Sequence, residues 1–188
     1  MDDVVLARHG ESETGAAGVV GGDAPLTEVG RMQARELGAR LSEMPIDVCL
    51  VSEARRARET AELAVVAHDV PIEVLPELND IGFGSFEGRP LAEYRGWVAA
   101  RPPTEAPPDG ESRLETLRRF GRALRALCGR RERHLLVVGH GLLLRAVSDE
   151  RPQPVVAGVP YGSSLYLTRT ELERATRRLE AWCEAPSW

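Results

Sequence analysis

The stretch Val4-Val5-Leu6-Ala7-Arg8-His9-Gly10-Glu11-Ser12, close to the amino terminus, decides the fold class of this chain. Its first four residues are apolar and include two β-branched valines, which is typical of a short buried strand. The strand runs directly into an arginine, a histidine and a glycine. Because ligands bind at the carboxyl ends of the strands in an open α/β sheet, these three residues are expected to line a crevice. An ordinary polar turn after a strand is the alternative interpretation of this stretch alone.

The three residue types suit an anionic ligand. Arginine offers a planar, permanently charged fork that matches phosphate oxygens. Histidine offers a ring nitrogen that can act as nucleophile, base or metal ligand. Glycine allows the backbone to approach a ligand closely.

The composition is that of a soluble globular protein. The 188 residues are 43% hydrophobic and 28% charged, and we predict one domain covering residues 1–188. A net charge of −5 disfavours a nucleic-acid partner, since proteins that bind nucleic acids usually carry a basic surface. The chain contains no lysine, so any cationic contact to a substrate must come from arginine.

The sequence predicts a cytoplasmic location. No apolar run approaches the roughly 20 residues that span a bilayer, and the acidic start Met1-Asp2-Asp3 does not resemble a signal peptide. The three cysteines are an odd number without metal-ligand spacing, so we expect reduced, packed thiols. Monomer and homodimer both remain open.

The first part of the chain alternates between strand and helix patterns. Thr27 is a candidate cap for a helix that runs to about Ser42, with apolar residues at helical spacing at Leu26, Val29, Met32, Leu37 and Leu41. A buried strand over 47–51, a helix to about Ala67 and a short strand over 72–74 follow. This βαβ alternation predicts an α/β fold with a mostly parallel sheet.

The alternation is interrupted over residues 75–133, a segment that we call the excursion. Its first part is rich in glycine and proline, and we expect it to lie over the carboxyl edge of the sheet. Its second part contains a helix with a capping box, Ser112 and Glu115, and an apolar stripe at Leu117, Phe120, Leu124 and Leu127. The pattern then predicts a strand over 134–138, a short helix over 142–147, a strand over 164–168 and a polar helix over 171–180.

Several reactive residues follow predicted strands. Arg8 and His9 follow the first strand, Arg56 follows the second, and His140 follows the strand that ends at Val138. In a parallel sheet these side chains emerge at the same edge and can converge. Two arginines and two histidines around one point would form an anion site with a candidate nucleophile, which is what phosphoryl transfer requires.

Five motifs, in order along the chain, resemble those of the histidine phosphatase superfamily, the phosphoglycerate-mutase-like enzymes. They are Arg-His-Gly-Glu-Ser at 8–12, Pro-Leu-Thr-Glu at 25–28 with Gly30 and Gln-Ala at 33–34, Arg-Ala-Arg-Glu-Thr-Ala at 56–61, Leu-Asn-Asp at 78–80 with Gly84 and Glu-Gly at 87–88, and Val-Gly-His-Gly at 138–141. The resemblance implies a three-layer α/β/α sandwich with the active site at the carboxyl ends of the strands.

The resemblance also implies roles for individual residues. His9 would attack phosphorus, while Arg8, Arg56 and His140 would hold the phosphoryl oxygens. Ser12 and Gly141, which stand in the same motifs, are included among the substrate-binding residues. Neighbouring cations would disfavour the charged imidazolium and keep a lone pair available on His9 at neutral pH.

A carboxyl group from the excursion would protonate the departing oxygen. The family pattern has a glutamate where this chain has Asp80, and Glu87 is the neighbouring alternative, although the family uses that glutamate in a structural turn. Asp80 is favoured. Arg89, Tyr94 and Arg95 are candidates to line the far side of the substrate.

The activity that we predict is hydrolysis of a small phosphorylated metabolite without cofactor or metal. Mutases of this family carry a longer, cation-rich insertion that includes a lysine, and here the excursion is compact and lysine is absent. A phosphoglycerate-type mutase and a non-catalytic module that binds phosphorylated ligands are the alternatives. Two histidines beside two arginines are a poor site for a metal cation.

Overall fold

The computed structural model describes residues 1–154 and 158–188, and its centre is a five-stranded sheet. The strands are β1 (Asp3–Arg8), β2 (Val48–Val51), β3 (Ile72–Val74), β4 (His134–Gly139) and β5 (Ser164–Thr168), in the order β3-β2-β4-β1-β5. The first four in this order are parallel, and β5 pairs with β1 in the antiparallel direction. The predicted mostly parallel sheet is confirmed.

Helices cover both faces of the sheet. They are α1 (Glu13–Ala16), α2 (Glu28–Leu41), α3 (Arg55–Ala64), α4 (Leu91–Ala99), α5 (Arg113–Cys128), α6 (Gly141–Ser148) and α7 (Arg169–Glu184), with two 3-10 turns at Pro76–Leu78 and Gly84–Phe86. The alternating side chains of β1 show the layering, because Val4 and Leu6 pack with α5, α6 and α7, whereas Val5 and Ala7 pack with α2 and α3. The three-layer α/β/α sandwich is therefore confirmed.

The helix caps agree with the sequence, but two of the five apolar residues at helical spacing in and before α2 do not face the core. Thr27 caps α2 by accepting a hydrogen bond from Gly30. In that helix, however, Val29 and Met32 are exposed, and the buried side is formed by Gly30, Ala34, Leu37 and Leu41. The reason is a close approach: a Cβ atom on Gly30 would lie 2.0 Å from the carbonyl oxygen of Glu11. Small residues, not large apolar ones, therefore face the loop after β1.

Two other helices end at residues that differ from the prediction. Helix α3 stops at Ala64 instead of about Ala67. Helix α7 is longer than predicted and is not polar on all sides, because Leu172, Ala175, Leu179 and Cys183 are buried against the core. The many charged residues of α7 lie on its other face and obscured this stripe.

The excursion contributes to two parts of the structure. Helix α5 belongs to the outer helical layer, with its capping box and its predicted apolar stripe both confirmed. The preceding residues form a separate apolar cluster, whose buried members include Ile81, Phe83, Phe86 and Tyr94. Ile81, Phe83 and Tyr94 line a cleft together with Arg8 and Gly141 at the carboxyl ends of β1 and β4, so this part of the excursion forms one wall of that cleft.

Two further observations concern the predicted class of protein. No helix in the described ranges 1–154 and 158–188 is long and apolar enough to cross a membrane. The three cysteines, Cys49, Cys128 and Cys183, all lie in those ranges and are free thiols, and Cys49 and Cys183 are buried.

Candidate active site

The pairing of β1 with β4 brings two histidines together. Arg8 is in register with Gly139, and the backbone N–H of His9 donates to the carbonyl of Gly139 at 3.0 Å. The next residue after each strand is therefore a histidine at the same sheet edge. The ring centroids of His9 and His140 are 5.1 Å apart, with an interplanar angle of 65°.

The ring of His9 is held in one tautomer. Its Nδ1 lies 2.6 Å from the carbonyl oxygen of Gly10, which can only accept, so Nδ1 carries the proton. The Nε2 atom then has the free lone pair and accepts a hydrogen bond from Nε of Arg56 at 3.2 Å. His9 is only 4% exposed, so the surrounding backbone fixes this orientation.

Arg56 is the second residue of α3 and reaches back over the loop after β1. Its Nη1 donates to the carbonyl of Gly22 at 2.8 Å. The hydroxyl of Thr60, one turn further along, donates to the carbonyl of Arg56 and accepts from the backbone N–H of Gly10. Thr60 thus ties the first turn of α3 to the loop that carries His9.

His140 is fully buried and bonded on one side only. Its Nε2 lies 2.9 Å from the hydroxyl of Ser52, the residue that follows β2. Its Nδ1 makes no hydrogen bond with any residue that the structure describes, and it lies 3.5 Å from Oδ2 of Asp80. One buried ring nitrogen therefore remains available to an incoming group.

Arg8 is held against an aromatic ring. Its guanidinium carbon lies 3.8 Å from the ring centroid of Tyr161, and its Nη1 donates to the carbonyl of Val159. Its Nε is buried and has no hydrogen-bond partner within residues 1–154 and 158–188. Gly141 lies next to this guanidinium, since a Cβ atom there would be in van der Waals contact with that Nε, at 3.5 Å.

Burial and neighbouring cations act on the two imidazoles in the same direction. The pKa of His9 is lowered well below 6.5, first by burial and then by His140, Arg56 and Arg8. The pKa of His140 is also lowered well below 6.5, by burial and then by Arg56 and Arg8. Burial lowers the pKa of Arg8 as well. Both rings are therefore neutral at neutral pH, which leaves Nε2 of His9 unprotonated.

Asp80 lies beside this group of residues, whereas Glu87 does not. Its Oδ2 is 3.5 Å from Nδ1 of His140 and 3.8 Å from Nη2 of Arg56. Glu87 is exposed, and its carboxylate accepts a hydrogen bond from the backbone of Gly22 at 2.9 Å. That bond braces the loop after β1 and agrees with a structural glutamate.

The backbone that carries Asp80 is clamped from α5. The guanidinium of Arg119 donates to the carbonyls of Glu77, Asn79 and Asp80 at distances of 2.9, 2.8 and 3.0 Å. The same guanidinium is held by the carboxylate of Glu111 at 2.7 Å. Arg119 therefore sets the position of the segment that presents Asp80.

The remaining predicted residues have different placements. Ser12 is buried, and its hydroxyl caps α1 by accepting from Gly15. Tyr94 and Arg95 line the cleft. Arg89 forms an ion pair with Glu93 on the exposed side of α4.

Three residues of the site were not anticipated from the sequence. Ser52 directly follows β2. The rule that residues after parallel strands lie at the ligand-binding edge of the sheet, which located His9, therefore also predicts Ser52. Thr60 stands in the α3 motif, but its contact with Gly10 depends on how α3 packs. Tyr161 comes from the segment before β5, and no pattern in the sequence predicts its contact with Arg8.

Taken together, these side chains surround one point with two guanidinium groups, two neutral imidazoles and a carboxyl group. Such a set can hold a tetrahedral dianion, place a nitrogen lone pair behind it and supply a proton. Among residues 1–154 and 158–188, no three His, Cys, Asp or Glu side chains are grouped so that they could hold a metal ion.

Comparison with known proteins assigns the chain to a family. The sequence model of one family, the histidine phosphatase superfamily (branch 1), matches residues 4–155. A 2,3-bisphosphoglycerate-dependent phosphoglycerate mutase of Methylobacterium sp. (strain 4-46) is 34% identical over 161 residues, which are 77% of this chain and 77% of the relative. The chain therefore belongs to the histidine phosphatase superfamily, as the sequence motifs indicated.

Two phosphatases are also similar. The adenosylcobalamin/alpha-ribazole phosphatase of Salmonella typhimurium is 49% identical over 86 residues, which cover 45% of this chain and 43% of the relative. The match thus spans less than half the length of that curated protein. The crystal structure of the alpha-ribazole phosphatase of Shigella flexneri superimposes with a TM-score of 0.74 and 28% identity over 87% of this chain and 89% of the other.

Proposed function

We propose that this chain is a phosphomonoester hydrolase that acts through a phosphohistidine on His9. The observation that carries the proposal is the Nε2 lone pair of His9, which is buried, held in one tautomer and in contact with the Arg56 guanidinium. A phosphoryl group that accepts a hydrogen bond from Arg56 would thereby stand in front of that nitrogen.

The other residues of the site supply the charge that the reaction requires. Arg8 and Arg56 bind two phosphoryl oxygens. The hydroxyl of Ser52 lies 2.9 Å from Nε2 of His140 and can donate to it, and we assign the His140 proton to Nδ1, where it binds a third oxygen. Losing one such preorganised contact costs roughly 3–4 kcal/mol of transition-state stabilisation.

The reaction has two steps. In the first step, Nε2 of His9 forms a bond to phosphorus while the bond from phosphorus to the ester oxygen breaks, and Asp80 gives its proton to that oxygen. In the second step, Asp80 takes a proton from water as the water oxygen attacks phosphorus, and the nitrogen–phosphorus bond breaks. Inorganic phosphate leaves, and His9 and Asp80 return to their starting states.

We favour hydrolysis over the mutase reaction, in which the phosphohistidine would transfer its phosphoryl group back to the bound alcohol. The chain contains no lysine, and the excursion residues that line the cleft beside the site include the apolar side chains Ile81 and Phe83. Without the longer, lysine-containing insertion of the mutases to enclose the product alcohol, that product leaves and water reaches the phosphohistidine. The similar proteins include both phosphatases and a mutase, so this choice needs a direct test.

The experiment measures inorganic phosphate and phosphoglycerate isomers in parallel. The wild-type chain is incubated with 4-nitrophenyl phosphate and, separately, with 3-phosphoglycerate plus a trace of 2,3-bisphosphoglycerate. We expect phosphate release and no isomerised phosphoglycerate, with His9→Gln inactive. Isomerisation faster than phosphate release would identify a mutase. Ligand binding without either reaction would identify a non-catalytic module.

A further inference from the structure

The cleft continues from the candidate phosphoryl site into a larger space bounded by the excursion. It begins at Arg8 and Asp80. Its walls include Ile81, Phe83 and Leu142, and the ring of Phe83 is fixed edge-to-face against Tyr94 at 4.8 Å. A flat apolar group would find a rigid surface here.

The same space is lined by three arginines that lie outside the phosphoryl site, and their surroundings differ. Arg145 forms an ion pair with Asp149 at 3.0 Å, so its charge is balanced. Arg95 is exposed on α4, at the rim. Arg113 is half-buried, forms no ion pair with any described residue, and has a buried Nε without a hydrogen-bond partner among those residues.

Arg113 is also placed where a cation does not help the fold. It is the first residue of α5, at the positive end of a helix of 16 residues, where a positive charge is unfavourable. The cap of this helix is complete without it, because Ser112 and Glu115 satisfy each other reciprocally. The guanidinium of Arg113 is thus half-buried and unpaired among the described residues. An anion bound in the cleft would explain why a positive charge stands at this position.

We propose that the preferred substrate is a phosphomonoester whose alcohol part combines an apolar ring with a second negative charge, and that Arg113 binds this second charge. The ring would lie against Ile81 and Phe83 while the phosphoryl group occupies the site around His9. This inference rests on the proposed hydrolase function and adds the class of substrate to it.

The test uses a pair of substrates of nearly equal shape, 4-carboxyphenyl phosphate and 4-carbamoylphenyl phosphate, which differ by one charge. The quantity measured is the ratio of their kcat/KM values in the wild type, Arg113→Gln, Arg113→Lys and Arg122→Gln. Arg122 is exposed on the same helix outside the cleft, so its variant controls for the loss of one positive charge.

We expect the wild type to prefer the carboxylate by about tenfold or more, as for a charge-assisted hydrogen bond. Arg113→Gln should reduce this ratio to about one, while Arg113→Lys and Arg122→Gln retain most of it. A wild type that hydrolyses both compounds equally would overturn the inference and leave the hydrolase function intact, whatever the variants do. An equal ratio in wild type and Arg113→Gln would also overturn it. Failure to hydrolyse either compound or 4-nitrophenyl phosphate would instead count against the hydrolase function.

Discussion

Nε of Arg56 donates a hydrogen bond of 3.2 Å to Nε2 of His9, which joins the first turn of α3 to the end of β1. The donor and the acceptor lie 47 residues apart in the chain. An anion that binds Arg56 therefore meets the lone pair of His9, and this contact connects the geometry of the site to the proposed chemistry.

The first prediction concerns the acid. Asp80→Asn should lower kcat/KM for alkyl phosphates much more than for 4-nitrophenyl phosphate, because only a poor leaving group needs a proton from Asp80. The decrease for alkyl phosphates should be about 10²–10⁴-fold, the usual contribution of a general acid. Steady-state kinetics on both substrates measure the difference.

Glu87→Gln is the matched control for that experiment. Because Glu87 is exposed and bonds to the backbone of Gly22, this variant should affect both substrates by the same factor. A selective loss on alkyl phosphates in Glu87→Gln, with none in Asp80→Asn, would exchange the roles of the two carboxyl groups.

The second prediction concerns Arg119, which binds three backbone carbonyls next to Asp80 and the carboxylate of Glu111. Arg119→Gln should reduce the free energy of unfolding by about 1–3 kcal/mol, since three backbone carbonyls, two of them in part-buried contacts, lose a charged donor. It should also weaken the hydrolysis of alkyl phosphates more than that of 4-nitrophenyl phosphate. Denaturant unfolding and the two assays check these effects. A variant that is less stable but has an unchanged preference would show that the clamp is purely structural.

The third prediction concerns pH. The folded chain holds the pKa of His9 and of His140 well below 6.5, through burial and nearby cations, whereas an unfolded histidine titrates near 6.5. In acid the unfolded chain therefore binds more protons, so the free energy of unfolding should fall as the pH drops below about 6.5. His140→Asn removes one of these groups and should show a shallower decline. Urea unfolding at several pH values measures how steeply the free energy of unfolding falls with pH in the wild type and in His140→Asn. An equally steep fall in the two proteins would contradict this prediction.

The fourth prediction concerns the approach of α2 to the loop after β1. Gly30→Ala would place a Cβ atom 2.0 Å from the carbonyl of Glu11, so the backbone must move. We expect a loss of about 1–3 kcal/mol in the free energy of unfolding, as for an overpacked core, together with reduced activity because the loop carries His9. Gly96→Ala is the control. Nothing lies within 4 Å of a Cβ atom there, and stability should rise by up to about 1 kcal/mol because alanine favours the interior of α4.

The sequence was sufficient for the sheet and for most of the convergence at its edge. The apolar runs before Arg8 and before Gly139 are each four residues long, contain two valines and end at a turn signal, which favours buried strands over helices. Since parallel strands end at one edge, the positions of His9 and His140 directly after two such strands predict that they lie near each other. The tautomer of His9 could not be predicted, because it depends on a backbone carbonyl whose direction no sequence pattern encodes.

The features that the sequence did not predict have a common physical cause, which is that they depend on tertiary contacts. Val29 and Met32 stand at helical spacing with Leu37 and Leu41, but the buried face of α2 has Gly30 and Ala34 in their place. Tyr161 reaches Arg8 from a distant segment, and a contact of this kind is tertiary. Helical periodicity identifies a helix reliably, yet which face is buried depends on its partners.

The most direct test of the central claim is to trap the covalent intermediate. The wild-type chain is mixed briefly with a phosphomonoester labelled in its phosphoryl group, quenched in alkali and digested, and the labelled peptide is sequenced by mass spectrometry. We expect one phosphoryl group on His9, stable in alkali and lost in acid, and no label in His9→Gln. Steady hydrolysis by the wild type with no label on His9, or with the label on another residue, would contradict it.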